Sequence, residues 1–226
     1  MDSNSGHSPP GPLANRPSRA TVILVHGLWM SGFELTVLRR RLHAAQMRTA
    51  AFNYASMSRP MSVHARALIA FARAQNSDQL HFVGHSLGGI AILRALELDE
   101  DLPPGRAVLL GSPLQGSLAA QGIAKKLPFG RAILGKSINE ECIDCRPREW
   151  AGRRDVGVIA GSSRRGLGRL FAKLDGDHDG TVLVAETQLP GAKDHVVLSA
   201  SHSGLVFSGD VANQAVHFLT HGQFRR

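Results

Sequence analysis

The chain has 226 residues, of which 43% are apolar and 19% charged, enough for one α/β domain with a sizeable core. No apolar run approaches the roughly 20 residues of a membrane-spanning helix, which excludes that class. The formal charge of +8 is spread over small clusters (Arg39-Arg40-Arg41, Lys125-Lys126, Arg153-Arg154, Arg164-Arg165) with no nucleic-acid motif, so it reads as a solvated basic surface whose one macromolecular option is transient contact with an anionic membrane.

Residues 1–19 are rich in Ser, Pro, Gly and Asn and lack the apolar stretch of a signal peptide. They are expected to form a disordered leader, with the cytoplasm as the default location. A single domain is expected over 20–226. Ala20 to Val25 is a continuous β-branched run, as in a strand buried on both faces. Phe33 to Met47 carries Leu35, Leu38, Leu42 and Ala45 at helical spacing. Arg48 to Tyr54 predicts a second strand, and Ser62 to Ala74 a helix with Ser62 at its N-cap. Strand Leu80 to Val83 and helix Leu87 to Leu98 follow. Further strands are expected at Ala107 to Leu110, Val156 to Ala160 and Val196 to Ala200, and a closing helix at Asp210 to Leu219, capped by Asp210. Alternating strands and helices imply a mostly parallel sheet covered on both faces, with ligands at the carboxyl ends of the strands. Residues 113–154 interrupt the alternation with Gly, Pro and many charges, and are expected to form a small cap-like insertion.

Gly84-His85-Ser86-Leu87-Gly88-Gly89 lies between an apolar strand and an apolar helix. A serine in that setting sits on a sharp strand-to-helix turn, a nucleophile elbow, with its hydroxyl above the sheet. Glycines two before and two after it leave room where a Cβ would meet the neighbouring strand or helix. A serine hydroxyl needs a histidine to accept its proton and a carboxylate to orient that histidine, in the chain order Ser, acid, His.

Among the 11 histidines, His202 stands directly after the last predicted strand, at the ligand-binding end of the sheet. His195 lies at the other end of that strand, and His217 and His221 lie in or after the terminal helix. Asp179 is the acid expected from Asp175, Asp177 and Asp179, because it opens Asp179-Gly180-Thr181-Val182, where a tight turn could aim the carboxylate into the site. Asp155 precedes its strand and faces the wrong end. The oxyanion requires backbone N–H donors; Leu87 supplies one at its helix start and Leu28, in His26-Gly27-Leu28-Trp29, the second. His26 precedes the serine and is given a structural role in that loop. Trp29, Met30, Leu114 and Leu205 are candidate pocket residues, each also readable as packing; Phe33 is similar.

These pieces resemble the α/β-hydrolase superfamily on its esterase/lipase side. Val25-His26-Gly27-Leu28 is similar to the HG oxyanion loop, Gly84 to Gly89 to the GHSLGG elbow, and Gly111-Ser112-Pro113-Leu114-Gln115-Gly116-Ser117 to the G-[ST]-P-x-x-G-S loop of lipase-like members. Asp179 to Val182 and Ser201-His202 resemble the acid and base segments. The resemblance implies an eight-stranded sheet shortened here by one or two N-terminal strands. It also implies ester hydrolysis through an acyl-serine, with Ser86 as nucleophile, His202 as base and Asp179 as orienting acid. A thioesterase, amidase or acyltransferase would use the same machinery on another small-molecule acyl substrate. No cofactor is implied.

One motif competes. Asp175-Gly176-Asp177-His178-Asp179-Gly180, with Glu186 after five further residues, has the spacing of a calcium loop and would suit a non-catalytic calcium-binding or scaffold protein. Thr187-Gln188-Leu189-Pro190-Gly191 stops any exiting helix, so the acid-loop reading is preferred and no metal is assigned. Cys142 and Cys145 are spaced C-x-x-C without further ligands or a strand-to-helix setting, and are expected to be ordinary reduced thiols, with a local disulfide as the alternative.

Overall fold

The computed structural model describes residues 20–144, 147–166 and 168–226. Cys145 and the expected leader lie outside them. Six strands form one wholly parallel sheet: β1 (Ala20–Val25), β2 (Arg48–Phe52), β3 (Gln79–His85), β4 (Ala107–Leu110), β5 (Val156–Gly161) and β6 (Asp194–Leu198), in the order β2-β1-β3-β4-β5-β6. Among the described residues the sheet has six strands rather than eight, which agrees with the expected shortening, and β6 starts two residues before the predicted Val196.

Helices cover both faces: α1 (Thr36–Ala44), α2 (Met61–Arg73), α3 (Leu87–Leu98), α4 (Leu118–Lys126), α5 (Gly130–Ile138), α6 (Gly168–Phe171) and α7 (Gly209–His221). The period-two alternation of side chains divides the core. Ile23, Val25, Phe82, Leu109 and Val158 pack toward α2 and α3, while Val22, Leu24, Val83, Leu110 and Ile159 pack toward α1 and α7. The predicted helix over 33–47 is a 3-10 turn, Phe33–Leu35, followed by α1, and Gln46 at φ 60 ends it. Two expected caps shift. α2 begins at Met61 with Pro60 at the N-cap, so Ser62 lies inside the first turn. At α7 the Ser208 side chain, not Asp210, accepts from the Val211 N–H at 3.4 Å.

β1 continues into β2 on one side and, after α2, the chain returns to β3 on the other. β1 and β3 thus lead to opposite sides of the sheet, the topological switch point at which a crevice between carboxyl ends is expected in such sheets. Within the expected insertion the chain forms α4, α5 and a π-helical turn, Asn139–Ile143, and α5 is bonded to the loops at this end. The Trp29 indole N–H donates to the Ile133 carbonyl at 3.3 Å, the Lys136 N–H to Met57 O at 3.1 Å, and the Ser137 hydroxyl to Arg59 O at 2.9 Å. The buried Glu141 accepts from the buried Arg148 and, at 3.0 Å, from the half-exposed Arg94 of α3, so an ion-pair cluster holds the insertion to the helix that leaves the elbow.

Candidate active site

Ser86 joins β3 to α3 with φ 54 and ψ −121, a conformation that costs a non-glycine residue about 1–3 kcal/mol. The Ser86 N–H donates to Leu110 O at 2.8 Å and Ser86 O accepts from the Gly89 N–H at 3.1 Å, which fastens the turn to β4 and to its own helix. The flanking glycines act by close approach. A Cβ on Gly84 would stand 2.6 Å from Gly89 N, and one on Gly88 would collide with the Val25 carbonyl of β1. Gly27 brings the β1 loop close as well, its would-be Cβ lying 3.1 Å from Ser86 Cβ.

On the far side, Asp179 is 1% exposed and both of its carboxylate oxygens are hydrogen-bonded. Oδ1 accepts from the Thr181 and Val182 N–H groups at 2.9 and 2.7 Å, and Oδ2 lies 2.7 Å from His202 Nδ1. The His202 N–H also donates to Asp179 O at 2.8 Å. An ionised Asp179 can only accept, so Nδ1 carries the proton and Nε2 keeps a lone pair for an incoming hydroxyl.

His85, the residue before Ser86, joins the two halves. Its Nε2–H donates to the His202 carbonyl at 2.9 Å, and the two rings lie 4.8 Å apart. Burial, reinforced by the adjacent His202, pushes its pKa down to about 3, so the ring is neutral. Its Nδ1 is buried without a hydrogen-bond partner. Gly111, at the end of β4, closes the third side: a Cβ there would stand 3.1 Å from Asp179 Oδ2 and 3.3 Å from His202 Nδ1. Ser86, Asp179 and His202 are thus gathered at the carboxyl edge of β3, β4 and β5.

His26 is buried and holds the β1 loop. The Tyr54 N–H donates to Nε2 at 3.3 Å, which leaves Nδ1–H to donate to Gly27 O at 2.9 Å, and the Tyr54 hydroxyl donates to His26 O at 3.0 Å. Burial lowers its pKa, as this neutral tautomer requires. Leu28 follows within that loop, and Leu87 opens α3, where first-turn N–H groups lack intrahelical acceptors. Of the expected pocket residues, Trp29 is exposed and Met30 partly so. Leu114 and Leu205 present no surface to a ligand. Leu114 is packed in the core beneath the insertion, and Leu205 abuts Gly111. Their apolar character reads equally as pocket or core, and here burial decides for core.

The calcium-loop carboxylates are engaged by the protein itself. Asp175 pairs with Lys173 at 3.2 Å and Asp177 with Arg164 at 3.2 Å, both on the surface. Glu186 is buried, its oxygens accepting from the Leu118 N–H at 2.6 Å and the Leu183 N–H at 2.8 Å. Among the described residues no group of three His, Cys, Asp or Glu could hold a metal ion. The spacing was misleading because Glu186 sits on a 3-10 turn, Ala185–Thr187, that ties the Asp179 loop to the start of α4. Burial raises its pKa. Cys142 is buried in the core.

A parallel sheet with a serine on a strained turn after its central strand, and an Asp-His pair arriving from later strands, is the arrangement of an α/β-hydrolase. The chain belongs to the alpha/beta hydrolase family, whose model matches residues 22–202. It is similar to the mature lipase BlEst2 of Bacillus licheniformis, at 18% identity and TM-score 0.72, over 92% of this chain and 94% of that one. The metagenomic carboxyl esterase MGS0156 is similar at 19% identity and TM-score 0.62, over 89% and 70%. The type II thioesterase BorB of a borrelidin biosynthetic cluster is similar at 13% identity and TM-score 0.58, over 93% and 94%. No curated protein sequence matches the chain. Among the described residues no helix is long and apolar enough to cross a membrane.

Proposed function

We propose that this protein hydrolyses carboxylic esters through an acyl-serine intermediate. The single observation that carries the reading is the Asp179–His202 pair, 2.7 Å apart, tied through His85 to the strained Ser86 turn. His202 Nε2 takes the Ser86 hydroxyl proton as Oγ attacks the ester carbonyl. The tetrahedral oxyanion is met by the Leu28 and Leu87 N–H groups. As it collapses, the imidazolium gives its proton to the departing alcohol. Water then enters, His202 takes its proton, hydroxide attacks the acyl carbon, and Ser86 leaves with that proton as the acid is released. Asp179 stays ionised throughout and stabilises the imidazolium.

The test is labelling by a fluorophosphonate, which reacts with an activated serine whatever the acyl substrate. The parent protein should label at Ser86 and hydrolyse a short p-nitrophenyl ester, and Ser86→Ala should do neither while folding normally. Labelling at another serine, or full turnover by Ser86→Ala, would sink the reading. A second reading, thioester hydrolysis on the same groups, draws on the likeness to a type II thioesterase. Matched oxyester and acyl-thioester substrates of equal chain length separate the two by the ratio of kcat/KM.

A further inference from the structure

Eleven large apolar residues of the described chain are exposed, and four of them meet at one place. Trp29 follows the β1 loop and is 58% exposed, yet its indole N–H is fixed on the Ile133 carbonyl. Phe129 is the N-cap of α5 and Ile133 lies one turn into that helix, the two joined by the Ile133 N–H to Phe129 O bond at 3.0 Å. Met57 packs its backbone against Gly135 and accepts from the Lys136 N–H. Trp29, Met57, Phe129 and Ile133 therefore form one apolar rim where α5 meets the loops after β1 and β2.

Phe129 is the least expected of them. It is 84% exposed and has φ 56 and ψ 23, left-handed backbone that disfavours a bulky side chain. An aromatic ring held in solvent at a strained position is unexplained by folding alone. Charge indicates what covers it. Exposed cations stand on the same elements: Arg59 beside Met57, Lys125 and Lys126 at the end of α4, and Arg131 and Lys136 on α5. Of the acidic groups near them, Asp144 is paired with Arg131 at 2.7 Å, while Glu140 and Glu34 accept only from the Met61 and Ser31 N–H groups at 3.3 Å and keep their charge, so Lys125, Lys126, Lys136 and Arg59 outnumber the remaining carboxylates four to two.

We infer that this rim docks on an anionic phospholipid surface, with Phe129, Trp29 and Ile133 entering the acyl boundary and the lysines meeting headgroups. Aromatic and aliphatic side chains ringed by lysine suit an interface whose one side is apolar and whose other is negative. The rim adjoins the loop after β1, so docking turns the crevice toward the membrane. The inference is independent of the serine chemistry, because binding is read without turnover.

The test is co-sedimentation of the full chain with vesicles of phosphatidylglycerol or of phosphatidylcholine, at low and high salt. Binding to the anionic vesicles, weakened by salt, is expected. The double variant Lys125→Ser, Lys126→Ser should lower the partition coefficient roughly thirtyfold. Phe129→Ser should lower it about tenfold or more, with hydrolysis of a water-soluble ester unchanged. Phe129→Gly suits the positive φ, so it should hold or raise Tm while binding as weakly as Phe129→Ser. Ser86→Ala should bind like the parent. No binding to phosphatidylglycerol, equal binding to phosphatidylcholine, or parental binding by a folded Phe129→Gly would overturn the inference. So would retention on polyglutamate without vesicle binding, which assigns the face to an acidic protein.

Discussion

The two halves of the candidate site are built by different physics. The serine turn is shaped by exclusion: Gly84, Gly88 and Gly27 remove Cβ atoms where backbones pass, and Ser86 takes the strained conformation the gap leaves. The acid-base arm is shaped by attraction. The Asp179 carbonyl accepts from the His202 N–H, Glu186 accepts from the Leu118 N–H and His85 donates to the His202 carbonyl, so His202 is held by bonds between segments distant in the chain. A steric turn tolerates loss of its functional atom but no added volume. A hydrogen-bonded arm tolerates small changes of volume but no change in the pattern of donors and acceptors.

The largest effect should come from the turn. Ser86→Ala should lower esterase turnover by about 10⁴-fold or more, with Tm unchanged, because Ala occupies the same gap. Gly88→Ala keeps every chemical group but drives a Cβ into the Val25 carbonyl. It should lose activity together with about 1–3 kcal/mol of stability, read from denaturant midpoints. A Gly88→Ala protein with parental stability would remove the steric half of the comparison.

In the arm, Asp179→Asn is nearly isosteric. An Asn oxygen can still accept from Thr181 and Val182, but its amide then faces His202 Nδ1 as a donor and forces the other tautomer. Turnover should fall by roughly 10³–10⁴-fold with little loss of stability. Preserved turnover would show that His202 takes its orientation elsewhere.

His85 is a positioning residue in this arm. His85→Leu removes the donor to the His202 carbonyl, and should lower kcat by about tenfold with KM nearly constant. His85→Gln, whose amide nitrogen reaches the same point, should restore most of it. Equal kcat for the Leu and Gln variants would reduce His85 to packing.

How well each half could be read from sequence follows from the same division. Exclusion is local: Gly-x-Ser-x-Gly between β3 and α3 states the turn within five residues, and the boundaries of α3 and β4 are those the pattern predicts. The meeting of His202 with Asp179 at one end of the sheet follows from their positions relative to β5 and β6. Attraction is non-local. The bond from His85 to His202 spans 117 residues, and a histidine inside the elbow motif carries no local sign of it. Glu186 showed a signal of the wrong kind, because a carboxylate that holds two backbone N–H groups has the same spacing from Asp175 as a calcium ligand. Leu114 and Leu205 failed for a related reason, since an apolar side chain near a site does not say which side of the wall it faces.

Acid separates the halves by sign, with the smallest effect. β3 carries His81 and His85, whose pKa values burial pushes to about 4 and about 3 from 6.5. The unfolded chain binds those protons below pH 6.5 while the folded strand refuses them, so their stability is complete above pH 6.5 and is lost as pH falls toward 4 and below. Glu186 runs the other way. Its folded pKa is raised above 4.5, so the folded state takes up a proton first and the cost of burying its charge disappears as pH falls. Acid should therefore loosen the strand that bears the serine while relieving the loop that bears the acid. Hydrogen exchange measured down from pH 6.5, corrected for intrinsic rates, should show β3 amides losing protection before those of residues 182–187. His81→Asn, whose side-chain oxygen can still accept from the Arg106 N–H, should flatten the fall in Tm over the same range. If β3 and the Glu186 loop lost protection together, the two halves would be one cooperative unit, and their different construction would have no consequence for how the site opens.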